Sequence, residues 1–84
     1  CMNITYYKNL ISAFEARGNM SQKAAYYLAR KDENPYYVII TGLIYLKQNK
    51  IGAAVTMLDA FCSENPDLII TDDIKRILLN YEFI

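Results

Sequence analysis

The sequence predicts an all-α protein of about five helices, arranged as antiparallel helical hairpins. Its 84 residues are enough for one small domain. Glycine, asparagine and proline turn signals divide the chain into pieces about one helix long. Within these pieces, apolar residues recur three and four positions apart, which is the spacing of one helix face. We therefore expect a single domain over 1–84, with one hairpin over 4–30, a second over 35–63 and a last helix over 71–82.

The first hairpin begins with an amphipathic helix over residues 4–17. Its apolar stripe consists of Tyr7, Leu10, Ile11 and Phe14. Gly18 and Asn19 are expected to end this helix, because both residues tolerate a left-handed backbone. The second helix is expected over residues 22–30, with the Ser21 side chain capping its N-terminus.

The second hairpin begins with a segment, 36–46, that is open to two interpretations. Its Tyr-Tyr-Val-Ile-Ile stretch has high β-propensity, and a buried strand resembles a buried helix in such a run. We favour a helix because the run is long, contains Gly42 and has no second strand to pair with. Pro35 suits the first turn of a helix. The other helix of this hairpin is expected over 51–63, with Ala54, Leu58, Phe61 and Cys62 along its face.

The last helix is expected to follow the break at Pro66. Thr71 is a good N-terminal cap, and the carboxylates of Asp72 and Asp73 are favourable near the positive end of a helix. Its apolar stripe consists of Ile74, Ile77, Leu78 and Tyr81.

Composition argues against several classes of function. Nine basic residues balance nine acidic ones, so we expect no nucleic-acid partner. The longest apolar run has 11 residues, fewer than the roughly 20 of a membrane-spanning helix. With no histidine and two cysteines, the chain lacks most ligand and triad residues, so we expect neither an enzyme nor a cofactor or metal site. Cys62 is expected to be a small buried apolar residue.

The second hairpin has the spacing of a tetratricopeptide repeat. The matching positions are Pro35, Gly42, Tyr45, Ala54, Leu58 and Pro66. Gly42 and Ala54 are expected to let the two helices lie close, while Tyr45 and Leu58 fill the space between neighbouring hairpins. Val38 stands where a bulky aromatic residue is usual. The predicted fold is therefore a tetratricopeptide-like superhelical array.

The sequence resembles the small tetratricopeptide-like chaperones of bacterial type III secretion, of the YscG, PscG and EscG type. The residues that carry this resemblance are Gly18-Asn19, Ala24-Ala25, Gly42, Asn49, Ala53-Ala54, Leu58 and Asn65-Pro66-Asp67. The resemblance implies a co-chaperone in the bacterial cytoplasm that holds the C-terminal helix of the needle subunit in a concave groove and prevents premature polymerisation. It also implies a second small helical co-chaperone as a partner. Longer relatives in this family carry a further helix.

The first helix of each hairpin lines the groove in repeats of this type. The expected groove residues are Tyr36, Ile39, Leu43 and Leu46, with Tyr7, Phe14, Ile77 and Tyr81 from the flanking helices. The alternative is that these residues are ordinary core. The segment 36–46 is apolar on all sides, and we expect the other short helices to leave one side of it exposed as a binding surface. A second functional hypothesis is a helical adaptor or homo-oligomerisation domain that uses the same stripe.

Overall fold

A computed structural model describes residues 3–80, and this part of the chain contains five α-helices and no strand. The helices are α1 (Ile4–Arg17), α2 (Met20–Ala29), α3 (Tyr36–Lys47), α4 (Ile51–Glu64) and α5 (Ile69–Asn80). The predicted all-α class is confirmed. The ambiguous segment 36–46 is helical, as expected.

Helix α3 is the centre of the fold. It packs most extensively on α4 and α2 and also contacts α1, while α5 packs on α4 and contacts α1. Six consecutive residues of α3, from Ile39 to Ile44, are buried. A helix that is apolar on all sides has to be covered on all sides, and the neighbouring helices of this chain provide that cover.

The close packing of α3 on α4 depends on Gly42. A Cβ atom built on Gly42 would lie 2.7 Å from both Cγ and Cδ2 of Leu58. Leu58 therefore fills the space above Gly42 within one hairpin. The expectation that Leu58 fills the space between neighbouring hairpins misses this contact, since the side chain points at its own hairpin partner.

The turn between α1 and α2 begins at Gly18, as predicted. The helix that follows it starts earlier than predicted. Gly18 is left-handed with φ of 68°, and its N–H donates to the Glu15 carbonyl at 3.0 Å. Helix α2 begins at Met20 rather than residue 22, so Ser21 is not its cap. The Ser21 hydroxyl instead accepts a hydrogen bond from Gln48 Nε2 at 2.9 Å.

Helix α5 begins at Ile69, two residues before the predicted start. The N–H of Thr71 donates to the Leu68 carbonyl at 3.1 Å, which closes the first turn early. Thr71 is fully buried and is not the N-terminal cap. Its hydroxyl donates to the Asn65 carbonyl and ties α5 to the preceding turn. The predicted end of this helix, at residue 82, lies outside the described residues.

Between residues 3 and 80, no helix combines the length and the apolar character needed to cross a membrane.

Candidate protein-binding surface

The predicted groove stripe of α3 lies inside the protein. Ile39 and Leu43 are 0% exposed, and Leu46 is 5% exposed. Their burial follows from the helices around α3, which packs most extensively on α4 and α2 and also contacts α1. The expectation that the stripe is exposed is therefore wrong for these three residues, and the alternative that they are core describes them.

The two groove residues predicted on α1 are also buried. Tyr7 is 0% exposed and Phe14 is 7% exposed. Burial, with smaller contributions from the neighbouring hydroxyls of Tyr36 and Tyr6, raises the pKa of Tyr7 well above its ordinary range. Both side chains pack between helices and do not line an open groove.

The remaining two predicted residues belong to the last helix. Ile77 is half-buried and packs against the core. Tyr81 lies outside the residues that the structure describes. Ile77 therefore adds no fully exposed apolar surface to a groove.

One part of the predicted groove stays open. A cavity of about 420 Å³ lies where the N-terminal ends of α1, α3 and α5 come together. Its lining residues are Asn3, Tyr36, Asp67, Leu68, Ile69, Ile70 and Asp73. Tyr36 is half-buried, and among the predicted groove residues that the structure describes it is the one that lines this cavity. We call this feature the end cavity.

The end cavity combines apolar walls with acidic groups. Ile69 is 78% exposed and presents its apolar side chain at the rim of the cavity. Asp73 accepts a hydrogen bond from Arg76, whereas Asp67 forms no ion pair with any residue from 3 to 80. The cavity is therefore suited to a partner that has an apolar residue with a lysine or arginine close to it.

The Tyr36 ring is held in place at the wall of the end cavity. Its centroid lies 6.2 Å from that of Phe61 on α4, with the two rings tilted by 51°. The N–H of Tyr36 donates to Asn34 Oδ1 at 3.0 Å, which fixes the start of α3. Ile70, 4% exposed, completes the apolar wall from α5.

A second apolar surface was not predicted. Tyr26 and Tyr6 are 46% and 43% exposed. Tyr27 connects this surface to α3, since its ring centroid lies 5.0 Å from that of Tyr26 and 4.9 Å from that of Tyr37. We call Tyr6, Tyr26, Tyr27 and Tyr37 the tyrosine surface. Its signal in the sequence is the adjacent pairs of tyrosines, because neighbouring residues of a helix cannot both face the core.

The charges around the tyrosine surface are basic. The Arg30 guanidinium lies over the Tyr26 ring, 3.8 Å from its centroid, and the Lys23 ammonium lies 5.9 Å from the same centroid. Both cations are within the range of cation–π attraction. An acidic or aromatic partner would therefore be favoured at this surface.

The described residues offer no group of metal ligands. Residues 3–80 contain no cluster of three or more His, Cys, Asp or Glu side chains placed to hold a metal ion. Cys62 is buried, as expected, and burial raises the pKa of its thiol, with a smaller opposing effect from Lys75. A raised pKa keeps the thiol protonated and unreactive at neutral pH.

Comparison with known proteins does not assign the chain to a family. No family model matches the sequence, and no curated protein or solved structure gives a significant match. Function therefore has to be inferred from the surfaces described above.

Proposed function

We propose that this protein is a binding module without catalytic activity: a bacterial cytoplasmic co-chaperone for the needle subunit of a type III secretion system. The observation that supports this best is the end cavity, an apolar opening beside the strongly exposed Ile69. The mechanism is steric. An amphipathic helix held by the chaperone cannot pack on other subunits, so polymerisation is prevented without any bond being broken.

The bound helix engages the end cavity by the helix-in-groove mode. One apolar side chain of the helix enters between Tyr36 and Ile70, and the next turn rests on Ile69. A lysine or arginine of the helix lies near Asp67, which lacks a partner among residues 3–80. The proposed contact does not include Ile39 and Leu43, because both residues are fully buried.

The tyrosine surface supports the proposal of a second small helical co-chaperone. Aromatic residues and arginine are enriched at the centres of protein interfaces, where their rings provide contact area and their polar atoms find partners. Tyr26 on α2 and Arg30, just after the end of that helix, provide this combination. The two proposed partners would then occupy different faces of the domain.

The test of the end cavity compares two variants of equally exposed residues on α5. Ile69→Glu changes the rim of the cavity, and Leu79→Glu changes a residue that does not line it. Binding of a synthetic peptide with the C-terminal helix sequence of the needle subunit is measured by isothermal titration calorimetry. We expect Ile69→Glu to weaken binding at least about tenfold, equivalent to ~1.4 kcal/mol, and Leu79→Glu to leave the affinity unchanged.

Unfolding in urea serves as the control for both variants. Exposed positions away from packed features usually change stability by less than about 0.5 kcal/mol, so both proteins should remain folded. Equal affinities of wild type and Ile69→Glu for the peptide would contradict the assignment of the end cavity.

The alternative of self-association through the α3 stripe has less support. A homo-oligomer that used this stripe would need Ile39, Leu43 and Leu46 at its surface, and all three residues are buried by the chain's own helices.

A further inference from the structure

A second cleft lies between α4 and α5 and shares no lining residue with the end cavity. It is shallow, has a volume of about 490 Å³ and is lined by Val55, Asp59, Lys75, Leu78 and Leu79. The Leu79 side chain is 80% exposed, the largest exposure among the large apolar residues from 3 to 80. We call this feature the side cleft.

The register of the two helices divides the side cleft into a charged half and an apolar half. Cys62 Sγ lies 3.8 Å from the Thr71 carbonyl oxygen, so these residues are level with each other. One turn farther along the antiparallel pair, Asp59 on α4 is level with Lys75 on α5. After one more turn, Val55 is level with Leu79.

The two charges are available to a partner. Asp59 and Lys75 are both exposed, and neither forms an ion pair with a residue in the described part of the chain. They are carried on opposite sides of the cleft, the acidic group on α4 and the basic group on α5. A partner whose charges all have the same sign would be attracted to one side of the cleft and repelled by the other.

We propose that the side cleft binds a second copy of this chain, in a two-fold symmetric dimer. A two-fold axis along the cleft places α5 of one copy over α4 of the other. Asp59 then meets Lys75 of the second copy twice, and Val55 meets the aliphatic Leu79 of the second copy. The surface is complementary to its own rotated image, and the zero net charge leaves no overall repulsion between copies.

Charge reversal tests this arrangement, with sedimentation equilibrium at protein concentrations from about 1 μM to about 1 mM as the measurement. Wild type is expected to dimerise reversibly within this range. Asp59→Lys and Lys75→Asp each place like charges opposite each other at both symmetric contacts, so each should weaken the dimer at least about tenfold. The double variant Asp59→Lys/Lys75→Asp should regain the wild-type dissociation constant.

Mixing the two single variants provides a second measurement. One variant presents only basic side chains at this position and the other only acidic ones, so the mixture should form a heterodimer more tightly than either variant forms a homodimer. Leu79→Glu should be monomeric throughout the range, and Ile69→Glu, outside the side cleft, should dimerise like wild type.

Circular dichroism of each variant shows whether it is folded, and the exposure of both charged residues means that it should be. A wild-type protein that is monomeric over the whole range would overturn the proposal. So would a double variant or a mixture that fails to restore association.

Discussion

Replacement of Gly42 by alanine tests the close packing of α3 on α4. The new Cβ atom would lie 2.7 Å from two carbon atoms of Leu58, where ordinary contacts are 3.4–4 Å. Leu58 is 0% exposed, so its side chain can make room only by displacing other core residues. Overpacking of a core costs about 1–3 kcal/mol, while alanine gains ~1 kcal/mol over glycine within a helix. With an overpacking cost of about 2 kcal/mol, the middle of that range, we expect the free energy of unfolding to fall by about 1 kcal/mol.

Gly52→Ala is the matched control. Gly52 also lies within a helix, but a Cβ atom at this position meets nothing within 4 Å. The substitution should therefore stabilise the protein by about 1 kcal/mol through helix propensity alone. The two alanine variants should differ by about 2 kcal/mol in the free energy of unfolding, measured by urea denaturation with circular dichroism detection. Each kcal/mol corresponds to a shift in Tm of roughly 4–8 °C in a domain of this size.

A double-mutant cycle with Leu58→Ala isolates the contact. Leu58→Ala alone should cost about 2–5 kcal/mol, because it leaves a cavity under α3. In the Gly42→Ala background the cost should be smaller, since the shorter side chain relieves the overlap and the new methyl group fills part of the space. If Gly42→Ala is stabilised as much as Gly52→Ala, α3 and α4 are not packed as closely as described.

Two further predictions concern Thr71 and the buried tyrosines. Thr71→Val should lower the free energy of unfolding in urea by about 1–3 kcal/mol, because the Asn65 carbonyl loses its hydroxyl donor. Thr71→Ser keeps the hydroxyl and should retain most of the stability. Equal stability of the two variants would contradict the role of this hydrogen bond. Burial raises the pKa of Tyr7 and Tyr27 in the folded state, so the folded protein keeps protons that the unfolded chain loses above about pH 10. The contribution of these two groups to stability should therefore be constant below that pH and fall as the pH rises above it. In a spectrophotometric titration of the folded protein, Tyr7 and Tyr27 should ionise only above about pH 10; ionisation of both near pH 10 without unfolding would refute this.

The elements of the fold could be read from local sequence signals. Gly18 ends α1 because its left-handed backbone is the one expected after a last helical turn. Pro35 and Pro66 mark breaks that the structure also has. The starts of α2 and α5 were predicted two residues late, because Ser21 and Thr71 look like caps in the sequence. Both hydroxyls instead form hydrogen bonds that connect different elements, and local patterns do not encode such partners.

The exposure of the groove stripe could not be predicted in the same way. Helical spacing identifies which residues share a face, but it does not say which neighbour covers that face. The sequence correctly indicated that α3 is apolar on every side. Whether Leu43 is then exposed depends on the curvature of the array, which here brings α1 into contact with α5. This contact joins residues more than 50 positions apart, and it arises from the sum of many helix-packing angles.

The end cavity and the side cleft both have lining residues on α5, and the separation of these residues makes the two proposals independent. Ile69 and Leu79 are ten residues apart on α5, which corresponds to ~15 Å along the helix and about 80° around it. A peptide helix at the end cavity and a second copy at the side cleft therefore need not compete. Ile69→Glu should affect peptide binding and leave dimerisation unchanged, while Leu79→Glu should do the reverse. If either variant impairs both activities while its free energy of unfolding is unchanged, the two surfaces are coupled and α5 acts as one binding element rather than two.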